Sequence, residues 1–421
     1  MRTILFPISL AGLLACALAA QSLSPLPRPV RYNVTDLGPV GGPPGQPIII
    51  KNNYLIAGSH AVSDNVWHSL LWYQGLKYDI GMPGLGGPSS EAFGLNEKDQ
   101  AVGQAETPAM DPNGEDFCGF GSHHVCRAFV WQNGLMTALP PLMDSNGGAG
   151  ANGVANAINN RGQVGGSAET TERDPSCPPL DPTLYQYQQF KFKPVIWDSG
   201  KVQELPTVAG DPDGIVFSMN EQGQAVGGTG TCNAYQINGN LTYLYGLHAT
   251  LWENGKVTDM GNLGGIGPGG GNVAVIINNR GQSVGSSGTP DGSFHAFIWS
   301  KDTGMRDIGT VGGDVASVAL SINDNGDAVG ISFDKDFNPR AFVRQDGGSP
   351  VDLNALIPAS SPLFLFDACS INSSGEIIGI ALDSKGTAHG YLATPQFGGT
   401  SFVTPPDATQ FEYARKLLRR K

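Results

Sequence analysis

The sequence is poor in positive charge. Its 421 residues include 25 lysines and arginines against 37 aspartates and glutamates, which gives a formal net charge of -12. A phosphate backbone would meet net repulsion from such a surface, so nucleic-acid binding is not expected. Charged residues of both signs make up only 15% of the chain. Together with the many glycines and prolines, this low content argues for short elements and tight turns rather than long helices.

The common signatures of catalysis are also missing. There is no Gly-x-Ser-x-Gly elbow, no Walker phosphate loop and no dinucleotide fingerprint opening a helix. Acidic stretches such as DPNGED (111–116) lack the full spacing of a calcium loop, and turn chemistry explains them. We therefore expect no cofactor and no metal, and we assign no catalytic residue from motifs.

Long hydrophobic runs are absent except at the N-terminus. Arg2 precedes an apolar stretch over residues 4–20 that ends in small residues, so we predict a secretory signal at 1–20 and no transmembrane segment after its removal. The segment 13–16 ends in Cys16 and is similar to a bacterial lipobox, so two outcomes stay open: release to the outside or the periplasm, or lipid anchoring. Residues 396–421 are predicted to form a tail with a short basic helix.

One unit recurs seven times between these ends. Its first half is an apolar stretch, an Asn-x-x-Gly turn in most copies and a Val-Gly ending: LNEKDQAVG (95–103), INNRGQVGG (158–166), MNEQGQAVG (219–227), INNRGQSVG (277–285), INDNGDAVG (322–330), INSSGEIIG (371–379) and a worn IKNNYLIAG (50–58). Its second half is a basic residue followed by an apolar triplet and usually Trp: HSLLW (68–72), RAFVW (127–131), KPVIW (193–197), HATLW (248–252), HAFIW (295–299), RAFVR (340–344) and HGYLA (389–393).

Each half predicts a hairpin. Asn followed three residues later by Gly suits a type I turn that ends in a left-handed residue, and Trp-x-x-Gly marks a second turn. One unit is therefore four short strands, a to d, which is typical of a propeller blade. The last copy lacks strand d, while RYNVTDLG (31–38) has the pattern of an isolated d strand. We predict an all-β, seven-bladed β-propeller over residues 31–395, closed by the N-terminal strand, which completes the last blade.

These signatures resemble a known family. INxxGxxVG and HAFxW, followed by Asp-Ile/Leu-Gly-x-x-Gly-Gly, are similar to the HAF-type probable extracellular repeat of secreted bacterial proteins. The resemblance covers about residues 31–395. It departs from the family pattern where copy 1 lacks the turn glycine and where Arg344 replaces Trp. It implies export and a repeat fold, and it implies no settled activity.

The connections between strands b and c are unequal. From the Val-Gly glycine to the basic residue, four copies span 10 residues, as from Gly58 to His68, whereas blades 2, 3 and 4 have longer connections: 103–127, 166–193 and 227–248. Because these blades are consecutive, their loops must share one sector of one face. Loops held by a rigid scaffold are where binding residues usually lie. We predict the binding face here.

The same loops contain four of the five cysteines that would remain after signal removal. Cys118 and Cys126 are close enough in sequence for a local disulfide, and Cys177 and Cys232 could join blades 3 and 4. The odd number leaves at least one free thiol. Zinc bound by the first two cysteines with the neighbouring histidines is a weaker alternative, because Cys-x7-Cys is not a common zinc spacing.

Aromatic and histidine side chains of these loops are the binding candidates, since aromatics offer rigid area for sugar rings or protein partners. They are Phe117, Phe120, His123, His124, Tyr185, Tyr187, Tyr235 and Tyr243. Packing of the loops onto the scaffold is the alternative. The histidines of the repeat, such as His68 and His295, share their position with Arg and Lys, so a structural role is predicted for them.

The sequence thus predicts an exported binding or scaffold protein, expected to be a monomer, whose partner is a protein or a carbohydrate. The rival is an extracytoplasmic propeller hydrolase or lyase acting on glycans or other polymers, since the fold does not choose among activities. Its candidate groups are Asp111, Glu115, Asp116, Glu169 and His123. Two of them would have to converge near the central channel with perturbed pKa values.

Overall fold

A computed structural model describes residues 31–39, 47–52, 55–63, 65–73, 76–177, 188–232, 248–265 and 271–396. Within these ranges the protein is built from 29 strands, β1 to β29, and one 3-10 helix, η1. The predicted signal, Cys16 and the C-terminal tail lie outside the described residues. No helix in the described ranges has both the length and the apolar character needed to span a membrane.

The strands form seven sheets, one per repeat. Blades 1 to 3 contain β2 (Pro47–Ile50), β3 (Ile56–Ser63), β4 (Val66–Tyr73) and β5 (Leu76–Asp79); β6 (Ser90–Leu95), β7 (Ala101–Met110), β8 (His124–Gln132) and β9 (Leu135–Ala138); and β10 (Gly153–Ile158), β11 (Val164–Arg173), β12 (Phe190–Asp198) and β13 (Lys201–Glu204).

Blades 4 to 6 follow the same order, and η1 follows the last strand of blade 6. They contain β14 (Asp213–Met219), β15 (Ala225–Gly230), β16 (His248–Glu253) and β17 (Lys256–Asp259); β18 (Val273–Ile277), β19 (Ser283–Gly288), β20 (Phe294–Ser300) and β21 (Gly304–Gly309); and β22 (Ala316–Ile322), β23 (Ala328–Phe333), β24 (Pro339–Arg344), β25 (Val351–Asp352) and η1 (Leu353–Leu356). Blade 7 contains β26 (Phe364–Leu365), β27 (Ser370–Ile371), β28 (Ile377–Leu382), β29 (Ala388–Gln396) and β1 (Arg31–Pro39).

The sheets are arranged in a ring. The first strand of each blade contacts the first strand of the next, from β2 through β27 and back to β2, so these strands are innermost. β1 pairs antiparallel with β29, with Arg31 opposite Gln396 and Pro39 opposite His389. The seven-bladed β-propeller predicted from the sequence is confirmed, and β1 completes the last blade as expected.

The recurring Val-Gly ending has a steric cause. Strand a has a register shift in the middle, for example between Ala155 and Ala157 in blade 3. A Cβ atom at Gly166 would lie 1.9 Å from the carbonyl oxygen of Val154, and one at Gly285 would lie 1.9 Å from that of Val273. Strand b can approach strand a only where it has no side chain.

The turn asparagines tie each blade to its neighbour. The Oδ1 atom of Asn159 accepts hydrogen bonds from the backbone N–H groups of Arg161 and Gln163, both at 3.1 Å. Its Nδ2 atom donates to the carbonyl of Asn220 in the next blade, at 3.3 Å. The equivalent donations to the next blade come from Asn96, Asn220, Asn278, Asn323 and Asn372.

Copy 2 departs from the glycine rule of this turn. Asp99 stands at the fourth position, and its φ of 59° shows that it adopts the left-handed conformation the turn requires. Aspartate is one of the few residues other than glycine that tolerate this region.

Candidate functional site

The long connections of blades 2 and 3 begin as strands. β7 and β11 each have 10 residues, whereas the corresponding strands of blades 4 to 7 have six. The extra residues continue the hairpin past the blade: Met110 pairs with His124, and Arg173 pairs with Phe190. We call the described parts of the three long connections, residues 107–125, 170–177, 188–192 and 229–232, the loop cap.

The blade 2 part of the loop cap has a small core of its own. Cys118 and Cys126 form the predicted disulfide. Phe120, 5% exposed, packs with both cysteines and with Trp67, which belongs to blade 1. Phe117 packs against the same cluster and is partly buried. This core fixes the blade 2 loop to blade 1, and Phe120 therefore has a packing role.

Buried carboxyl groups join the blade 2 loop to blade 3. Asp111, Glu115 and Glu169 are 7%, 0% and 1% exposed. They converge on one side-chain amide: the Nδ2 atom of Asn152 lies 2.8 Å from Asp111 Oδ2, 3.2 Å from Glu169 Oε2 and 3.5 Å from Glu115 Oε2. We call these four residues the carboxyl cluster.

One carboxyl of this cluster has a strongly raised pKa. Burial raises the pKa of Glu115 well above its usual range, and the hydrogen bond to Glu169 raises it further. Two adjacent carboxylates repel each other in a buried site, so sharing one proton is the stable arrangement. Glu115 also accepts a hydrogen bond from the backbone N–H of Gln189, in the returning part of the blade 3 loop. The cluster therefore connects two loops and the blade between them.

A second carboxyl pair and a disulfide join blades 3 and 4. Burial raises the pKa of Asp213 to about 9, and its hydrogen bond with Asp174 adds to the shift. Burial opposes ionisation of Asp174 as well, but hydrogen bonds from Asp213 and Ser176 hold its pKa below the usual value. Beside this pair Cys177 and Cys232 form the second predicted disulfide. The backbone N–H of Cys232 also donates to Ser176 Oγ, at 3.0 Å.

The remaining predicted binding residues have different outcomes. His123 Nδ1 lies 2.9 Å from the carbonyl of Gly114, and His124 Nδ1 lies 2.8 Å from that of Thr107. With both cysteines in a disulfide, the alternative zinc site with these histidines loses its thiolates. The predicted Tyr185, Tyr187, Tyr235 and Tyr243 lie outside the described residues. Their part in binding stays a prediction.

The histidines of the repeat bind aspartates. His68 Nδ1 lies 2.6 Å from Asp79 Oδ2, and His295 Nδ1 lies 2.8 Å from Asp307 Oδ2. The remaining pairs are His248 with Asp211 and His389 with Asp36, and Arg340 contacts Asp314 and Asp352. The structural role predicted for this basic position agrees with these contacts.

The acids considered for catalysis do converge in part. Asp111, Glu115 and Glu169 meet at Asn152, so three of the five candidate groups lie together. They meet inside the loop cap rather than at an open surface, and their hydrogen bonds hold loops together. Asp116 has a similar role, because its carboxylate accepts a hydrogen bond from the Gly121 N–H at 2.7 Å. The arrangement favours rigidity over proton transfer to a substrate.

Exposed methionines surround the blade 2 part of the loop cap. Met110 belongs to the cap and is 60% exposed. Met82 and Met143, 61% and 53% exposed, lie in the connections that lead into and out of blade 2 on the same face. These methionines could not be predicted from the sequence, since a single methionine in a loop has no pattern. Methionine side chains are flexible and polarisable, so exposed ones suit contact with an apolar partner.

A shallow depression lies on another part of the same face. It is lined by residues between η1 and β26, including Pro358 and Leu363, and by Leu382 and Asp383 of blade 7. The carboxylate of Asp383 closes its own hairpin by accepting hydrogen bonds from the N–H groups of Lys385 and Thr387, both at 2.8 Å. All residues that line the depression fall within 354–384, so it is separate from the loop cap.

Comparison with known proteins shows similarity in fold alone. No family model and no curated protein matches the chain, so the HAF-type resemblance stays a prediction. A mutant of puromycin hydrolase is 12% identical with a TM-score of 0.43, covering 84% of this chain and 54% of that one. The BP39L lectin of Burkholderia pseudomallei is 9% identical with a TM-score of 0.38, covering 88% and 98%. AofleA of Arthrobotrys oligospora is 10% identical with a TM-score of 0.38, covering 76% and 88%.

Proposed function

We propose that this protein is an exported binding or scaffold protein and that its ligand contacts the loop cap. The observation that supports this proposal is the cross-linking of the cap. Two disulfides and two groups of buried carboxyls join the loops of blades 2, 3 and 4 to one another or to the blades beneath them. A pre-ordered surface loses little conformational entropy when it binds, which raises affinity.

The surface of this region favours a protein ligand. Met82, Met110 and Met143 offer adaptable apolar contacts around blade 2. The aromatic residues predicted for the cap would suit a protein or a sugar ring, so carbohydrate is the alternative ligand. Export agrees with the two disulfides, because such bonds persist mainly in oxidising compartments.

The test compares two faces of one blade. The mature protein is screened on a glycan array and against immobilised proteins from the surface of the source cells, together with an assay for glycan cleavage. Each ligand found is then measured with Met110→Glu/Met143→Glu and with Leu135→Glu. Leu135 is 68% exposed in the hairpin between β8 and β9, on the opposite face of blade 2.

We expect the double variant to weaken binding at least tenfold and Leu135→Glu to leave it unchanged. Equal affinities for the two variants would contradict the placement of the site. Turnover of a glycan without stoichiometric binding would favour the rival enzyme. Circular dichroism checks that both variants keep the β spectrum of the parent protein.

A further inference from the structure

Blade 1 has a second histidine opposite the histidine of the repeat. In the register of β3 and β4, His60 is the cross-strand partner of His68. The two rings lie with centroids 6.2 Å apart and nearly perpendicular, at 77°. His68 also contacts Asp79 at 2.6 Å, as the basic residue of the repeat contacts aspartate in other blades. Three side chains that can ligate a metal therefore meet on one blade.

The other blades have small side chains in the place of His60. The residues opposite the basic position are Ala105, Ala168, Thr229, Ser287, Ser332 and Ala381. The pair of His295 and Asp307 in blade 5 thus repeats the pair of His68 and Asp79, but it faces Ser287. The fold does not require a histidine at this position, because six blades form without one.

The geometry of the three groups suits a metal ion. One nitrogen of each histidine and one oxygen of Asp79 all lie within 4.8 Å of one another. Ligand atoms of a tetrahedral zinc ion are about 3.3 Å apart, given bonds of about 2.0 Å, so small side-chain rotations would complete the site. The Nε2 atom of His60 is buried and has no hydrogen-bond partner among the described residues. A buried polar atom without a partner costs free energy, which a bound ion would offset.

The site is accessible from solvent, since the side chains of His68 and Asp79 are 13% and 40% exposed.

We propose that His60, His68 and Asp79 bind one divalent transition-metal ion, with zinc as the preferred ion. Two imidazoles and one carboxylate are a set that zinc uses, and they leave a fourth position for water or a ligand. The site is distinct from the loop cap and does not depend on the function proposed for it. Calcium and magnesium prefer all-oxygen ligands and are not expected to bind here.

The first experiment is a titration of the untagged, chelator-treated full-length protein with zinc chloride in a calorimeter, with calcium chloride in parallel. We expect one zinc per chain and no calcium heat from this site. Cobalt chloride should give a visible absorption band typical of tetrahedral nitrogen and oxygen ligands. Absence of saturable zinc binding at millimolar concentration would overturn the proposal.

Matched variants locate the ion. His60→Ser introduces the residue that blade 5 has at this position, and it should weaken zinc binding at least tenfold and abolish the cobalt band. His295→Ser removes the same type of histidine from blade 5 and should leave zinc binding unchanged. His123→Gln/His124→Gln tests the loop histidines and should also leave it unchanged. Equal effects of His60→Ser and His295→Ser would contradict the site.

A gain-of-site variant tests the geometry independently. Ser287→His places a second histidine opposite His295, beside Asp307, as in blade 1. We expect the zinc stoichiometry to rise from one to two. Thermal unfolding with and without zinc should show an upward shift for the parent protein that is lost in His60→Ser. A stoichiometry of one together with an unchanged shift in His60→Ser would overturn the proposal.

Discussion

Blades 2 to 4 and blades 5 to 7 share one strand frame and differ in how strands b and c are joined. In blades 5 to 7 the connection is a tight hairpin that hydrogen-bonds to itself, for example from Asp334 N–H to Asn338 O at 3.2 Å. In blades 2 to 4 the connections bind neighbouring blades through disulfides and buried carboxyls. The difference indicates that the frame provides the fold in both halves, whereas the loop cap is an addition with its own stabilising contacts.

The largest expected effect concerns the disulfide between blades 3 and 4. Cys177→Ser/Cys232→Ser opens a loop of 55 residues, and we expect a loss of about 4 kcal/mol in the free energy of unfolding from chain entropy. Urea unfolding followed by circular dichroism measures it. Opening the shorter loop with Cys118→Ser/Cys126→Ser, of separation 8, should cost about 2.5 kcal/mol.

Cys369→Ala is the control for removal of sulfur from the other half of the ring. Cys369 is a free thiol in blade 7 whose Sγ donates to Asp367 Oδ1 at 3.3 Å. We expect this variant to lose at most about 1 kcal/mol. If it destabilises the protein as much as loss of the Cys177–Cys232 bond does, the two halves do not differ as described.

The repeat allowed the strands of each blade to be predicted from the sequence, but it did not predict the contacts within the loop cap. The Val-Gly ending and the turn asparagine recur because each has a local cause: a close approach of strand a, and hydrogen bonds two and four residues onward. A contact that each blade makes in the same way requires the same residue type in every copy, so that residue recurs at a regular spacing in the sequence. The carboxyl cluster instead spans two blades, since Asp111, Asn152 and Glu169 come from different elements that meet only in the folded ring.

The same reasoning applies to blade 1. His68 could be recognised from the repeat. His60 could be identified as its neighbour only from the strand register, which places it opposite His68. The cysteine pairings were predictable, because four cysteines in adjacent long loops have few alternative partners. The exposed methionines were not, because exposure of a loop residue is decided by the path of the loop.

A smaller effect should appear in the pH dependence of stability. Asp213 keeps a proton in the folded protein up to a pKa of about 9, whereas an unfolded aspartate releases it near pH 4. The folded state therefore binds the extra proton between these values, and the free energy of unfolding falls as the pH rises. Asp213→Asn should remove this slope, by on the order of 1 kcal/mol between pH 6 and 7.

The repeat supplies a precedent for this substitution. In blade 3, the residue equivalent to Asp213 of blade 4 is Asn152. Its Oδ1 accepts a hydrogen bond from the Cys126 N–H at 2.9 Å. The Oδ1 of Asp213 accepts the equivalent hydrogen bond from the Phe192 N–H at 3.0 Å. Asp291→Asn is the control in blade 5, since hydrogen bonds lower the pKa of Asp291 and its contribution is lost only in more acidic solution. Parallel pH profiles for the parent protein and Asp213→Asn would contradict the shared proton.

The smallest expected effect tests whether the tight hairpins serve the fold alone. The hairpins of blades 5 and 7 have Gly292 and Gly386 at their left-handed position, with φ of 84° and 78°, whereas blade 6 has Phe337 with φ of 60°. A bulky residue in this conformation is strained, so Phe337→Gly should stabilise the protein by about 0.5 kcal/mol in urea unfolding.

Phe337 is also 59% exposed. Its ring centroid lies 6.1 Å from that of Phe333, and an exposed aromatic surface also suits contact with a partner. Phe337→Gly could also weaken binding of a ligand that Met110→Glu/Met143→Glu weakens. The binding face would then extend beyond the loop cap. In that case the two halves of the ring would differ in stability but not in ligand recognition.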